Sequence, residues 1–431
     1  MLDIQFIRDN PEKVAEKSKQ KGYDIDVTQL LGFDDERRDL MRQVEELRQE
    51  RNNLAGQAKG QQPSQEQIDA GRELKEKLGK LEHQLGAIEQ EYLALLKTVP
   101  NMPLDDVPVG ASEDENVVVK QWGEKPNFSF TPKNHWQIGE AKGWIDRDRA
   151  NKVATSRFVY LKGDLVLLEF ALWQFALSKL TDPKVIDHII SDNNLNVSNK
   201  PFTPVLPPAV AKKDVYEATG RLNKEEQTYK IEDEDLWLNA SAEHTLAPMH
   251  LNEIIDEKDL PLRYAGYTTA FRREAGTYGK DMEGMLRLHQ FNKLEMESFN
   301  RPEDSLQEHL FLVAVQEYLM QQLGIPYQLL NKCTADIGFP NARGVDIEAW
   351  LPGQNKYRET HTADYITDFQ AQGMKTRLRR GDGKVELLHT NDATAFSERP
   401  LIAILENFQT EKGDVIVPEV LRPYMGGREQ I

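Results

Sequence analysis

The sequence contains very little sulfur that could crosslink or bind metal. Its 431 residues include a single cysteine, Cys333, which excludes an internal disulfide and any zinc site built from several thiolates. No apolar stretch reaches the roughly 18 residues that a membrane helix needs. The charged start MLDIQFIRDNPEKVAEKSKQ has no apolar signal core. These absences predict a cytoplasmic protein with no membrane partner.

Positive charge is also scarce. The chain has 54 Lys and Arg against 71 Asp and Glu, a formal net charge of −17, which argues against a general coat for nucleic acid or membranes. A local basic strip could still bind a nucleic acid. The hydrophobic fraction of 39% is ordinary for a globular protein, and the length predicts two or three domains.

A pair of heptad seams is the clearest structural signal. Apolar residues recur at spacings of three and four on both sides of AKGQQPSQEQ, which contains the helix breakers Gly60 and Pro63. The pattern predicts an antiparallel coiled-coil hairpin over about 34–97. Its outer faces carry both charges, so a solvated surface and a surface for a large partner both remain open.

The rest of the chain predicts an α+β fold. Three prolines in KTVPNMPLDDVPVG end the hairpin and predict a boundary between domains at 1–105 and 106–431. An apolar helix at 164–180 fits either a core or a contact between subunits. Later strand-like runs do not alternate with helices, which favours a mainly antiparallel β-sheet flanked by helices.

The segment FRREAGTYGKDMEGMLRLHQF, Phe271 to Phe291, is predicted to form two strands around a glycine-rich loop. Arg272 and Glu274 would share one face of the first strand, and an arginine there can form two bonds to a phosphate. Phe291 on the second strand can stack on a base. A nucleotide site and an exposed charged hairpin explain the spacing equally well. Neither standard glycine-rich phosphate loop is present.

Weaker signals lie further along the chain. Glu359, Thr362 and Asp364 offer hard oxygen ligands suited to Mg²⁺. Arg399 precedes the apolar run 400–409, and because a cation at a helix start is unfavourable, an anion is expected beside it.

Together, these motifs resemble the seryl-tRNA synthetases, which are class II aminoacyl-tRNA synthetases. The resemblance runs nearly end to end and includes the arm, AEH, FRREAGTYGKD, LHQFNKLEM, LPGQNKYRET, LIAILENFQ and VPEVLRPYM. It implies an N-terminal tRNA-binding domain at 1–105 and a class II catalytic domain at 106–431. It also implies a homodimer that joins L-serine to serine tRNA through seryl-adenylate, with ATP as substrate and Mg²⁺ bound.

The resemblance also implies roles for individual residues. Arg272, Glu274 and Arg399 would be catalytic, with Phe291 stacked on adenine. The remaining residues expected at the ATP site are Arg273, Leu288, Glu359, Thr360, His361 and Thr362, of which Glu359 and Thr362 would bind the metal. The residues expected to bind serine are Ser241, Ala242, Glu243, Arg272, Glu295 and Thr394, with Ala393 as an alternative to Thr394.

Several positions depart from the family pattern. Ser241 and Thr362 exchange one hydroxyl side chain for another, and Gln372 and Gly373 stand where an arginine pair is usual. Glu398 replaces the glycine before Arg399, with Pro400 after it. The hypothesis is that this carboxylate weakens the hold of Arg399 on phosphate. Two alternatives therefore stay open: a weakened or non-catalytic RNA-binding dimer, and a class II relative that uses another small amino acid or loads a carrier protein.

Overall fold

The computed structural model of the chain describes residues 1–57, 64–222, 227–274 and 284–431. These residues form two compact units, Leu2–Pro100 and Asn101–Ile431, the second of which includes Met1. Within the described ranges, no helix is long and apolar enough to cross a membrane.

The first unit is helical. Its helices are α1 (Ile4–Asp9), α2 (Pro11–Gln20), α3 (Val27–Gln57) and α4 (Gln65–Leu96). The first arm helix therefore begins before residue 34, while the second ends within a residue of the prediction. Ser64 starts α4 because its hydroxyl accepts from the Gln67 N–H at 3.2 Å, and the Gln67 side chain accepts from the Ser64 N–H at 2.9 Å.

The heptad seam holds α3 against α4. Leu40 and Val44 on α3 are buried, as are Leu74 and Leu78 on α4. At the base of the hairpin, the Arg37 guanidinium lies 4.5 Å from the ring centre of Tyr92. The seam thus places two long helices side by side, as the spacing predicts. The turn predicted at Gly60 and Pro63 lies outside the described residues.

The second unit is built on one large sheet, which among the described residues has eight strands in the order β1-β10-β11-β12-β15-β9-β8-β4. All of its neighbouring strands are antiparallel except β4 and β8. Its strands are β1 (Val117–Trp122), β4 (Thr203–Val205), β8 (Leu262–Phe271), β9 (Gln290–Asn300), β10 (Tyr327–Asn331), β11 (Arg343–Leu351), β12 (Lys356–Thr367) and β15 (His389–Ser397). Shorter pairs are formed by β2 (Ile145–Asp146) with β3 (Tyr160–Leu161) and β5 (Val210–Lys212) with β6 (Leu236–Leu238). A further small sheet contains β7 (Ile254–Asp256), β13 (Arg377–Arg379) and β14 (Val385–Leu387).

Helices pack against the large sheet and bury its apolar side chains. Those that pack most closely on it are α7 (Asp164–Leu180), α10 (Glu243–Leu246), α11 (Ser305–Leu323), α12 (Phe369–Met374) and α13 (Arg399–Asn407). The unit also contains α5 (His135–Ala141), α6 (Arg147–Val153), α8 (Pro183–Asp192) and α9 (Lys213–Thr219), which pack mainly on other elements. Phe175 of α7 stacks on Phe396 of β15 with ring centres 6.4 Å apart. The mixed fold with a mainly antiparallel sheet, predicted from the sequence, is confirmed.

The predicted hairpin at 271–291 is wrong in one respect. Strand β8 ends at Phe271, so Arg272 and Glu274 lie beyond the strand, and Glu274 has a left-handed φ of 50°. The ladder stops because the His289 N–H donates to the Arg157 carbonyl at 2.9 Å instead of to β8. Strand β9 therefore begins only at Gln290. The predicted loop glycines Gly276 and Gly279 lie outside the described residues.

Candidate active site

A cavity of about 330 Å³ is lined by residues of β9, β12 and β15 and by Arg272, which follows the end of β8. Its walls carry charge of both signs, with six basic and five acidic side chains. The basic side chains that line it are Arg221, Arg272, Arg287, Lys293, Lys332 and Arg399. A cavity with this lining suits a polyanionic ligand, because converging cations lower the cost of bringing phosphates together.

One end of the cavity presents an aromatic ring beside a guanidinium. The Arg272 Cζ lies 5.1 Å from the centre of the Phe291 ring, within the range of a cation–π contact. Leu288 and Glu274 line the same cavity, and Arg287 bonds the Glu274 carboxylate at 3.3 Å. Burial lowers the pKa of Arg272 below its ordinary value, and Arg399 acts in the same direction. The arrangement offers a flat surface for a base and a donor fork for a phosphate.

Arg399 and Glu359 form the opposite wall. The guanidinium bonds the Glu359 carboxylate at 2.8 Å and its backbone carbonyl at 2.9 Å. Burial raises the pKa of Glu359, but Arg399, Lys332 and other cations outweigh it and lower the value to about 2. The anion predicted beside the start of α13 is therefore Glu359, an internal carboxylate rather than a bound ligand.

The hydroxyl-rich end of the cavity is formed by Thr394 and by polar groups behind it. Ser241 donates to Glu295 at 2.6 Å, and the Lys293 ammonium lies 2.7 Å from the same carboxylate. Thr394 lines the cavity, whereas Ala393 is fully buried in the core. The strand alternation of β15 explains this difference, since neighbouring residues point to opposite faces.

Arg221, which no sequence motif predicted, holds two acidic residues beneath the cavity. Its guanidinium bonds Glu243 at 2.5 Å and Asp392 at 2.9 Å, and Gln370 donates to the same Glu243 oxygen at 2.9 Å. Burial lowers the pKa of Arg221, but Glu243 and Asp392 outweigh it and raise the pKa above its ordinary value. Arg221 lines the cavity whereas Glu243 does not, so the arginine separates that carboxylate from the open space. Ala242 is fully buried beside it.

Comparisons with known proteins decide which family has this arrangement. The family model described as "Seryl-tRNA synthetase N-terminal domain" matches residues 1–103. The model described as "tRNA synthetase class II core domain (G, H, P, S and T)" matches residues 228–408. A serine–tRNA ligase from Thermodesulfovibrio yellowstonii is 42% identical, with 99% of both chains covered. The chain belongs to the seryl-tRNA synthetase family.

Solved structures of the family agree with this assignment. The crystal structure of seryl-tRNA synthetase from Pyrococcus horikoshii complexed with ATP has a TM-score of 0.87 and 38% identity, with 100% of this chain and 99% of that chain covered. A serine–tRNA ligase from Syntrophotalea carbinolica is 39% identical over the full length of both chains. The readings as a non-catalytic relative or as an enzyme for another amino acid are not favoured by these matches.

Two residues expected at the ATP site of a seryl-tRNA synthetase lie away from the cavity. Arg273 is exposed, and its backbone N–H donates to the Gln227 carbonyl at 3.0 Å. The His361 ring is buried, 5.8 Å from the centre of the Phe396 ring, because it points to the opposite face of β12 from Thr362. Burial lowers the pKa of His361 to about 3. Thr360 and Thr362 line the cavity.

The structure also explains two departures from the family pattern. Glu398 accepts from the Asn292 N–H at 3.0 Å, whereas Arg399 is bonded to Glu359. Burial, with Glu169 nearby, raises the pKa of Glu398 to about 8, which favours its uncharged form. The hypothesis that Glu398 weakens the hold of Arg399 on phosphate stays a prediction, which serine-dependent ATP–pyrophosphate exchange would test.

Gly373, the second departure, lies where α12 touches α9. A Cβ at Gly373 would stand 2.0 Å from the Ala218 carbonyl oxygen. The position therefore requires glycine for this packing, and an arginine would separate the two helices.

Sequence reasoning missed Arg221, Lys293 and Lys332. Lys293 had a usable signal, because it alternates with Phe291 and Glu295 along one strand and so shares their face. Lys332 and Arg221 gave none, since each reaches the cavity from a chain segment distant from the other motifs.

Proposed function

We propose that this chain attaches L-serine to serine tRNA in two steps carried out in the cavity. A serine carboxylate oxygen attacks the α-phosphorus of ATP, the bond to the β-phosphate breaks, and pyrophosphate leaves. The 3′-terminal hydroxyl of the tRNA then attacks the seryl carbonyl carbon, and AMP leaves. The observation that carries this proposal is the convergence of Arg272, Phe291, Glu359 and Arg399 on one cavity.

Neither step needs a side-chain nucleophile, so the residues act by positioning and by charge. Arg272 is assigned to the α-phosphate and the serine carboxylate, and Arg399 to the distal phosphates. Phe291 is assigned to stack on the adenine, with Glu274 on the adenosine side. The fixed guanidinium beside the aromatic ring supports this assignment, because it orients both groups before the substrate enters.

The residues at the distal end fit a magnesium ion. Glu359 faces the cavity with its carboxylate held ionised, and the Thr362 hydroxyl lines the same wall. Within the described ranges no three Asp, Glu, His or Cys side chains form a metal cluster, which suits Mg²⁺ bound by one or two protein oxygens plus phosphates and water. Mg²⁺ bound there supplies charge neutralisation to the phosphates.

For serine recognition, we assign the substrate hydroxyl to the neighbourhood of Thr394, Glu295 and Ser241. Alanine lacks the hydroxyl that would bond these groups, and a lost hydrogen bond of about 1–3 kcal/mol disfavours it roughly 5- to 150-fold. Glu243 is assigned to the serine ammonium group. Because Arg221 already occupies that carboxylate, the ammonium group reaches it only by exchange with the guanidinium.

The partners follow the same proposal. Residues 1–105 are assigned to tRNA binding through the arm and 106–431 to catalysis, in a cytoplasmic homodimer. The dimer is supported by α7, which is mostly buried yet exposes Leu167 and Phe170 at 44% and 52%. In the later segment 202–208, Leu206 is 83% exposed. Apolar exposure of this size on an otherwise buried helix is typical of a contact between subunits.

Serine-dependent ATP–pyrophosphate exchange, followed by charging of serine tRNA, tests the proposal. A panel of serine, threonine, alanine and glycine should show exchange with serine well above the others. Arg272→Ala should reduce kcat/KM by at least about 100-fold, the range seen when a transition-state donor is removed. Arg379→Ala is the matched control, because that arginine pairs with Asp256 on an exposed surface. No exchange with any of the four amino acids would overturn the proposal.

A further inference from the structure

His135 lies outside the residues assigned above, yet its ring joins two elements of the site. The ring is 3% exposed, and its Nε2 accepts from the Met285 N–H at 3.1 Å. Its Nδ1 lies 2.8 Å from a carboxylate oxygen of Glu406 on α13. Because a backbone N–H can only donate, Nε2 carries no proton and Nδ1 donates to Glu406. The two bonds therefore fix one neutral tautomer of the ring.

Glu406 is itself held in place. Its carboxylate is fully buried and accepts from the backbone N–H of His135 at 3.0 Å. It also accepts from the Gly353 N–H and from the Gln354 side chain, both at 3.0 Å. The Glu406 carboxylate, itself held by several donors, therefore fixes the orientation of the imidazole ring. The direction in which Nε2 points is fixed with it.

The chain at residues 284–288 approaches that nitrogen as closely as a backbone can. Gly284 has φ +85°, and a Cβ built on it would stand 2.2 Å from the His135 Nε2. Any side chain at this position would push the backbone from the ring and break the Met285 bond. Glycine at 284 and histidine at 135 therefore form one structural unit.

The unit formed by His135 and Gly284 holds one wall of the cavity in place. The residues that follow Gly284 and line the cavity are Met285, Leu286, Arg287 and Leu288. At the far end of this segment, the Arg272 N–H donates to the His289 carbonyl at 2.9 Å, and His289 Nδ1 donates to the Arg272 carbonyl at 2.8 Å. The wall is tied to Arg272 at one end and to His135 at the other.

We propose that His135 is a positioning residue for the nucleotide: its Nε2 fixes residues 284–288 as the wall against which ATP binds. This inference rests on the function proposed above. It differs from a merely structural role because only one of the two ring bonds, the bond to Met285, acts on the cavity. The bond to Glu406 supplies direction alone.

Two substitutions separate the two bonds. The Asn side chain of His135→Asn places its amide N–H near Nδ1 and keeps the bond to Glu406, but it leaves the Met285 N–H without an acceptor. The Gln side chain of His135→Gln places its amide oxygen near Nε2 and keeps the bond to Met285. We expect His135→Asn to raise the KM for ATP about tenfold, with the KM for serine changed less than twofold, and His135→Gln to restore most of the ATP affinity.

Gly284→Ala tests the same unit without touching the histidine, and it should raise the KM for ATP by a similar factor. Gly383→Ala is its matched control, since Gly383 has φ +89° but its Cβ would meet nothing within 4 Å. That variant carries the same backbone strain and should leave the KM for ATP unchanged.

The measurements are ATP–pyrophosphate exchange, which separates KM from kcat, and calorimetric titration with a non-hydrolysable ATP analogue. If the wild type binds the analogue but gives no exchange, the proposed function fails while the titration still tests His135. Equal losses of ATP affinity in His135→Asn and His135→Gln would overturn the inference, as would unchanged affinity in both His135→Asn and Gly284→Ala. A loss in His135→Asn and Gly284→Ala, with His135→Gln and Gly383→Ala close to the wild type, is the expected result.

Discussion

Replacing Glu398 with glutamine should stabilise the protein, and the gain should grow with pH. The carboxyl is 7% exposed, and burial beside Glu169 raises its pKa from an ordinary 4.5 to about 8. A carboxyl whose folded-state pKa is raised costs nothing below pH 4.5, where both states are protonated. The cost grows as pH rises from 4.5 to 8 and is constant above that, because the unfolded chain ionises first.

The size of the effect follows from the shift. A pH of 7 is about 2.5 units above the pKa of the carboxyl in the unfolded chain. At about 1.4 kcal/mol per unit, the buried carboxyl destabilises the fold by about 3 kcal/mol. For a unit of about 330 residues with an unfolding entropy of about 2.1 cal/mol/K per residue, this corresponds to about 4 °C in Tm. Glutamine keeps an oxygen that accepts from the Asn292 N–H, and its amide does not ionise. Glu398→Gln should therefore raise Tm by about 4 °C at pH 7, by more at pH 8, and by about 1 °C or less at pH 5.

Differential scanning calorimetry of wild type and variant across pH 5–8.5 measures this difference. Glu411→Gln is the control, because it makes the same chemical change at an exposed position. A difference for Glu398→Gln that does not change with pH would refute the reasoning, since it would mean that the buried carboxyl is already ionised at neutral pH.

Three further predictions concern other parts of the molecule. Reversing the exposed arm charges in Arg42→Glu/Lys80→Glu, whose side chains are 69% and 73% exposed, should raise the KM for tRNA several-fold and flatten its salt dependence, with pyrophosphate exchange unchanged. Phe170→Asp should convert the proposed homodimer to a monomer in light scattering, whereas Val109→Asp, at a residue 67% exposed, should not. Gly373→Ala should lower the free energy of unfolding by about 1–3 kcal/mol through the clash with the Ala218 carbonyl. Gly79→Ala is the control and should not lower it, because a Cβ there meets nothing within 4 Å.

Periodicity predicted the elements that bury a continuous apolar stripe. The helix at 164–180 has the predicted bounds, and the seams of α3 and α4 bury Leu40, Val44, Leu74 and Leu78. In both, the spacing of apolar side chains is itself the cause of the packing, so it can be read from the chain. The ends of β8 and β9 could not be predicted in this way, because they depend on a bond from His289 to Arg157, more than a hundred residues away.

The candidate site was predictable to the extent that its residues share a strand face. Phe291, Lys293 and Glu295 alternate along β9, and Thr394 stands opposite Glu295 in the ladder. Arg221 and His135 have no such local signal. Their positions follow from how α9 and α5 pack on the rest of the unit, and packing between elements distant in sequence is not encoded in any short pattern. His361 shows the converse error, because its neighbours in sequence face the cavity while its own ring points into the core.

Several cations of the cavity are already paired with carboxylates before any substrate binds. Arg399 bonds Glu359, Arg221 bonds Glu243 and Asp392, and Lys293 bonds Glu295. Substrate binding is therefore an exchange of partners. A phosphate that takes Arg399 must release the Glu359 carboxylate, and an ammonium group that takes Glu243 must release the Arg221 guanidinium. Because each exchange replaces one ion pair with another, its net free energy is small compared with that of either pair alone. Selectivity then depends on whether the released ion finds a new partner. On the proposed function, that partner for Glu359 would be the Mg²⁺ that accompanies ATP, so a single carboxylate would serve as the counterion of Arg399 in the free enzyme and as a metal ligand in the complex.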